Sequence, residues 1–104
     1  MANPPKFISK ELVQQVLKME DLIPVIEKAM GNFSKDEEGG VDQPLRNFIP
    51  VKEHKGFLGS MPGYSAQDNA LAIKLLPFFP NNAAKGLPIR MATIVTFEPS
   101  NGSI

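Results

Sequence analysis

The chain has 104 residues and an apolar share of 42%, enough for one small domain with a modest core. Eleven basic and eleven acidic residues cancel, so no charge footprint points to nucleic acid or an anionic membrane. With no cysteine there is no disulfide and no thiolate metal site, and no stretch approaches the ~20 apolar residues of a membrane span.

Met1 to Lys10 carries no apolar run of signal-peptide type, and with the missing cysteines this sets a cytoplasmic expectation. Ser9 is placed to cap a helix, with Glu11 in its first turn. Leu12, Val13, Val16 and Leu17 form its apolar stripe. A second helix is expected from about Leu22 to Phe33 with Asp21 as cap. Leu22, Val25, Ile26, Ala29, Met30 and Phe33 recur at helical spacing. Pro24 then falls in the first turn, where proline is tolerated. Ser34 to Gly40 reads as a solvated loop.

The texture changes from Val41 onward, where most of the ten prolines and eight glycines lie. Pro44 to Val51 reads as a strand. Lys52 to Gly56 is a polar turn, and Phe57 to Met61 is the expected hairpin partner. Pro62-Gly63-Tyr64-Ser65 breaks that strand, and Ala66 to Asn69 is polar. Ala70 to Phe79 is an apolar strand interrupted by Lys74 and Pro77. Pro80 to Pro88 is a loop, and Ile89 to Phe97 is the last complete strand. Glu98-Pro99-Ser100-Asn101-Gly102 is a turn with the strong Asn-Gly hairpin signal. Only Ser103 and Ile104 follow, so the expectation is that the chain is the front part of a larger protein or a shortened product of its gene. The predicted fold class is α+β: two N-terminal helices followed by an antiparallel sheet of about four strands.

Lys74 is the sharpest chemical candidate. Strand residues two apart share a face, so Lys74 sits with Ala72 and Leu76. A lysine on an apolar face must reach water, pair with an anion, or lose its proton. It is either an anion-binding or proton-transferring group, or an edge-strand lysine that snorkels to solvent. Arg46 shares a strand face with Phe48 and Pro50, and its forked guanidinium suits a carboxylate. If their strands were neighbours, Arg46 and Lys74 could share one carboxylate. His54 lies in a polar turn without a second histidine, which argues against a metal site. Met61-Pro62-Gly63-Tyr64 is either a rigid turn lining a pocket or a strand end. Phe78-Phe79 is core or ligand stack. No phosphate-loop pattern and no nucleophile–base arrangement occurs.

Gly39-Gly40-Val41, Gln43-Pro44-x-Arg46, Val51-x-x-x-Lys55-Gly56-x-Leu58-Gly59, Met61-Pro62-x-Tyr64-Ser65, Lys74-Leu75 and Phe97-Glu98-Pro99-Ser100-Asn101-Gly102 follow one another in a specific order and spacing. That series resembles the opening third of the ornithine cyclodeaminase/mu-crystallin family, on its ketimine reductase branch. The likeness runs from about Phe7 to Gly102.

The resemblance implies a homodimer whose substrate and dimerisation domain begins with residues 1–104, with the Rossmann-type dinucleotide-binding domain missing from this chain. It implies reduction of a cyclic imine acid with NADPH or NADH in the full-length protein, and no cofactor held by these residues alone. Lys74 then aligns with the active-site lysine. Arg46 aligns with the arginine that grips the substrate carboxylate, and Met61 and Phe78 fall at the ligand pocket. Thyroid hormone binding is a further implied property. A non-catalytic, crystallin-like short product that pairs with a full-length subunit is one alternative, and an ornithine cyclodeaminase is another. Gly59-Ser60 precede Met61 where the cyclodeaminases carry an acidic residue, which favours the reductase branch. Ile89-Arg90-Met91 follow Pro88 where the branch has a small hydroxyl residue and a histidine; this removes one polar contact and adds an apolar one, so the resemblance does not fix the substrate.

Overall fold

A computed structural model describes residues 4–104. The first helix, α1 (Lys10–Val16), starts at Ser9, whose hydroxyl accepts from the Leu12 amide at 3.1 Å. The second, α2 (Met19–Phe33), begins earlier than the sequence suggested, with Lys18 rather than Asp21 at its cap. Glu20 and Asp21 lie in its first turn and complement the helix dipole. Pro24 is therefore inside the second turn, not the first. It cannot donate to the carbonyl four residues back, and the exposed helix carries that defect.

Ser34 to Gly40 is more ordered than a plain loop. It holds a 3₁₀ turn, Asp36–Gly39, ended by Gly40 at φ 69°. Gly39 is buried against the backbone of Asn32, close enough that a Cβ at Gly39 would collide with the Asn32 carbonyl. Asn32 itself is buried, and its Nδ2 has no partner among the described residues.

The sheet has five antiparallel strands: β1 (Val41–Asp42), β2 (Asn47–Val51), β3 (Gly56–Ser65), β4 (Ala70–Phe78) and β5 (Thr93–Phe97). Its order is β1-β3-β4-β5, with β2 also paired to β3. β1 meets the end of β3 at Ser65 and Tyr64, and β2 meets its start between Gly56 and Ser60. The two short strands therefore share one edge, and the sheet is four positions wide.

The break expected after Met61 does not occur; β3 runs on through Pro62 to Ser65. The Ala66 amide donates to the Gly40 carbonyl at 2.8 Å. Alternation along the strand then turns the backbone of Pro62 to the same side, into the gap between β1 and β2. A missing N–H breaks no ladder bond there. Met61-Pro62-Gly63-Tyr64 is thus neither a pocket-lining turn nor a strand end.

The final strand starts at Thr93, not Ile89. Residues 89–91 still run beside β4, held by an isolated bridge between Phe78 and Arg90. The Phe79 amide donates to the Ile89 carbonyl at 2.9 Å. Similarly, β2 starts at Asn47, not Pro44. Residues Pro80–Lys85 form a 3₁₀ turn, and the Asn82 side chain donates to the Pro88 carbonyl at 2.9 Å. The Asn-Gly turn forms as expected: the Gly102 amide donates to the Glu98 carbonyl and the Glu98 amide to the Ser103 carbonyl, both at 2.7 Å.

Among the described residues no hydrophobic side chain is fully buried. Helix α2 meets the sheet through β1, and α1 packs on no strand to a similar extent. Both sheet faces are largely uncovered. The radius of gyration is 16.2 Å, against about 13 Å for a compact domain of this length. No helix among the described residues is long and apolar enough to cross a membrane.

Two substitutions test these local readings. Pro24→Ala restores one helical hydrogen bond. It should raise the helical circular dichroism signal and the urea midpoint, by up to ~3 kcal/mol in an exposed helix interior; an unchanged midpoint would place Pro24 outside the helix. Gly39→Ala forces a Cβ into the Asn32 carbonyl and should lower the midpoint by more than ~1 kcal/mol, whereas Gly31→Ala, with open space at its Cβ, should not.

Candidate functional site

The register of β3 against β4 sets the site. It pairs Phe57 with Phe78, Gly59 with Leu76, Met61 with Lys74 and Gly63 with Ala72. On the other flank Phe48 lies opposite Gly59 and Pro50 opposite Phe57. Beyond β4, Ile94 lies opposite Lys74. Directly paired residues point to the same side of a sheet. One face therefore carries Phe48, Phe57, Met61, Lys74, Phe78 and Ile94. The opposite face carries Ile49, Leu58, Leu71, Ile73, Leu75, Val95 and Phe97, with no cation in these strands.

Lys74 is exposed and flanked on both sides by paired strands. It is not an edge residue, so protection of a sheet edge does not explain its charge. Of the three options open to it, the one realised here is contact with water.

Arg46 is also exposed and immediately precedes β2. Asn47 pairs with Ser60, so continuing the register by one residue brings Arg46 opposite Met61. Arg46 and Lys74 thus do not lie on neighbouring strands. They flank Met61 across β3, with backbones about 10 Å apart at the usual strand spacing. That separation lets two long cationic side chains converge above the thioether.

Beside this pair lies an aromatic floor. Phe57 stands between Phe48 and Phe78, with ring centroids 5.0 Å apart in both pairs. The first contact is edge-on at 81° and the second tilted at 33°, geometries that aromatic quadrupoles favour. Gly59 makes room for this floor, because a Cβ there would come within 2.9 Å of the Phe48 ring. Met61 and Phe78 are half-buried.

Phe48, Phe57 and Arg90 share this face, although the sequence alone does not single them out as pocket residues. The guanidinium carbon of Arg90 lies 4.8 Å from the centre of the Phe78 ring, a cation–π distance. The signal is alternation: Phe57 lies four residues from Met61 and so on its face, and Arg90 shares its parity with Ile94. His54 is exposed in its turn, and no metal-holding group of three His, Cys, Asp or Glu occurs among the described residues. Phe79 turns away from Phe78 and lines an open depression of about 420 Å³ with His54, Lys55 and Lys85.

The strand pairings are all antiparallel. Among the described residues there is no strand-to-helix Gly-rich turn of the kind that cradles a dinucleotide pyrophosphate. What this face offers chemically is two exposed cations on either side of a thioether, and an aromatic wall.

Solved structures with this arrangement of elements exist. The chain superposes on Δ(1)-pyrroline-2-carboxylate reductase of Thermococcus litoralis, solved with NADH and L-proline, with TM-score 0.75 and 34% identity over 88% of this chain and 27% of that one. An archaeal alanine dehydrogenase dimer with bound NAD gives TM-score 0.79 and 25% identity over 89% of this chain and 27% of that one. In sequence, ketimine reductase mu-crystallin of Mus musculus is 46% identical and that of Rattus norvegicus 45%, each over the whole chain and 34% of the relative. The chain spans about a third of the length of these curated relatives. The family model for the ornithine cyclodeaminase/mu-crystallin family matches residues 5–104. The chain belongs to that family.

Proposed function

We propose that this chain supplies the substrate-binding and dimerisation portion of an NAD(P)H-dependent ketimine reductase, acting on a cyclic imine that bears a carboxylate. The observation that carries the reading is the placement of Lys74 on an inner strand, directly opposite Met61, with Arg46 entering from the other flank. The relatives named ketimine reductase mu-crystallin, and the likeness to a reductase solved with L-proline, support it.

In this reading Arg46 grips the substrate carboxylate with two parallel hydrogen bonds. Lys74 either adds a third donor to that carboxylate or holds the proton shared with the imine nitrogen. Met61 and the Phe48–Phe57–Phe78 floor fix the plane of the ring. A nicotinamide cofactor would supply the hydride. The work assigned to this chain is capture and orientation. A hormone acid with an aromatic body, such as a thyroid hormone, would meet the same floor and the same cations.

A planar pyrrole carboxylate, which mimics a ring imine acid but cannot be reduced, provides the test. Titrated into the isotope-labelled chain, it should shift the amide signals of Met61 and Lys74. Arg46→Ala and Lys74→Ala should each weaken binding by about tenfold, the size of one charge-assisted hydrogen bond. Added salt should weaken it further. Shifts confined to the opposite face, around Leu58 and Leu71, would sink the assignment.

A further inference from the structure

Arg90 is the third cation of the site face and is not needed by the chemistry above. Its bridge partner Phe78 lies on the face of Lys74 and Met61, and its guanidinium sits 4.8 Å from the Phe78 ring centre. Lys74 and Phe78 are four residues apart on β4, about 13 Å along the strand. Arg46 and Lys74 thus mark one end of the face and Arg90, in the row of Phe57 and Phe78, the other, with Phe48, Gly59 and Leu76 in the row between. No acidic residue occurs among the paired positions of this face, so none of the three cations is neutralised from within it. A surface of this kind fits a ligand with an anion at each end and an apolar body.

We propose that Arg90 is a specificity-determining residue: it receives a second acidic group, so that the preferred substrate is a cyclic imine acid carrying an acidic side arm. This rests on the site reading above and goes beyond it by naming the second charge. The geometry suits the task. The guanidinium is covered by the Phe78 ring on one side while Arg90 remains exposed, and the edge of a guanidinium is what binds carboxylates.

The experiment compares two ligands on the full chain: the pyrrole carboxylate bearing a propionate arm, and the same compound with that arm as its methyl ester. Amide shifts of Met61, Lys74 and Phe78 are followed in both titrations. The diacid should bind about fivefold more tightly than the ester, the size of one exposed ion pair. Arg90→Gln should bring the two affinities together, while Lys85→Gln, a cation outside this face, should leave the preference intact. Equal affinities in the wild-type chain, or a preference that survives Arg90→Gln, would overturn the proposal and leave the reading of Arg46 and Lys74 standing. Failure of both ligands to shift Met61 and Lys74 would remove that underlying reading, and this one with it.

Discussion

The pairing of β3 with β4 is the constraint on which the rest depends. Nine consecutive residue pairs run from Phe57↔Phe78 to Ser65↔Ala70. Because side chains alternate, this register decides which of them share a surface. A slip of one residue would send Lys74 to the face of Leu58 and Tyr64 and leave Met61 opposite an aliphatic neighbour. Pro62 sits in the middle of this ladder without interrupting it, because its backbone faces the gap between β1 and β2. The same gap keeps Gln43 to Arg46 outside the strands, and so delivers Arg46 beside Met61 instead of locking it into a ladder.

The second constraint is that the sheet is a single open layer. Exposed aliphatic and aromatic residues include Ile49 at 64%, Phe48 at 48% and Ile94 at 64%. Such a layer leaves apolar area exposed on both faces. The two faces are not equivalent. One is mostly aliphatic, with Tyr64 and Phe97, and lacks cations in its strands; the other combines aromatics with Arg46, Lys74 and Arg90. That asymmetry is what separates a surface suited to packing from a surface suited to an anionic ligand.

Much of this was legible in the sequence, and the failures have identifiable causes. The Ser9 cap, the apolar run from Ala70 and the Asn-Gly turn read correctly because each is set by neighbours in the chain. The start of α2 was misplaced because Pro24 looked like a first-turn residue, although Glu20 and Asp21 begin the helix earlier. The end of β3 was misplaced because proline is a strand breaker only where its N–H would have been used, and the direction of that bond depends on β1, twenty residues away. Lys74 and Arg46 stood out as charges in strands, but their relation to each other needed β3 to be placed between them. Arg90 was visible only as a departure from the family pattern. Its contact with Phe78 arises from a bridge across an intervening 3₁₀ turn, which no local pattern encodes.

The central claim is that Arg46 and Lys74 act on one carboxylate across Met61. A double-mutant cycle measures this directly, using the affinity of the pyrrole carboxylate for the wild-type chain, Arg46→Ala, Lys74→Ala and the double variant. Two cations on one anion should couple, so that the double variant loses less affinity than the two single losses combined, with an interaction term above ~0.5 kcal/mol. Strict additivity would mean that the two residues serve separate sites, and would contradict the account.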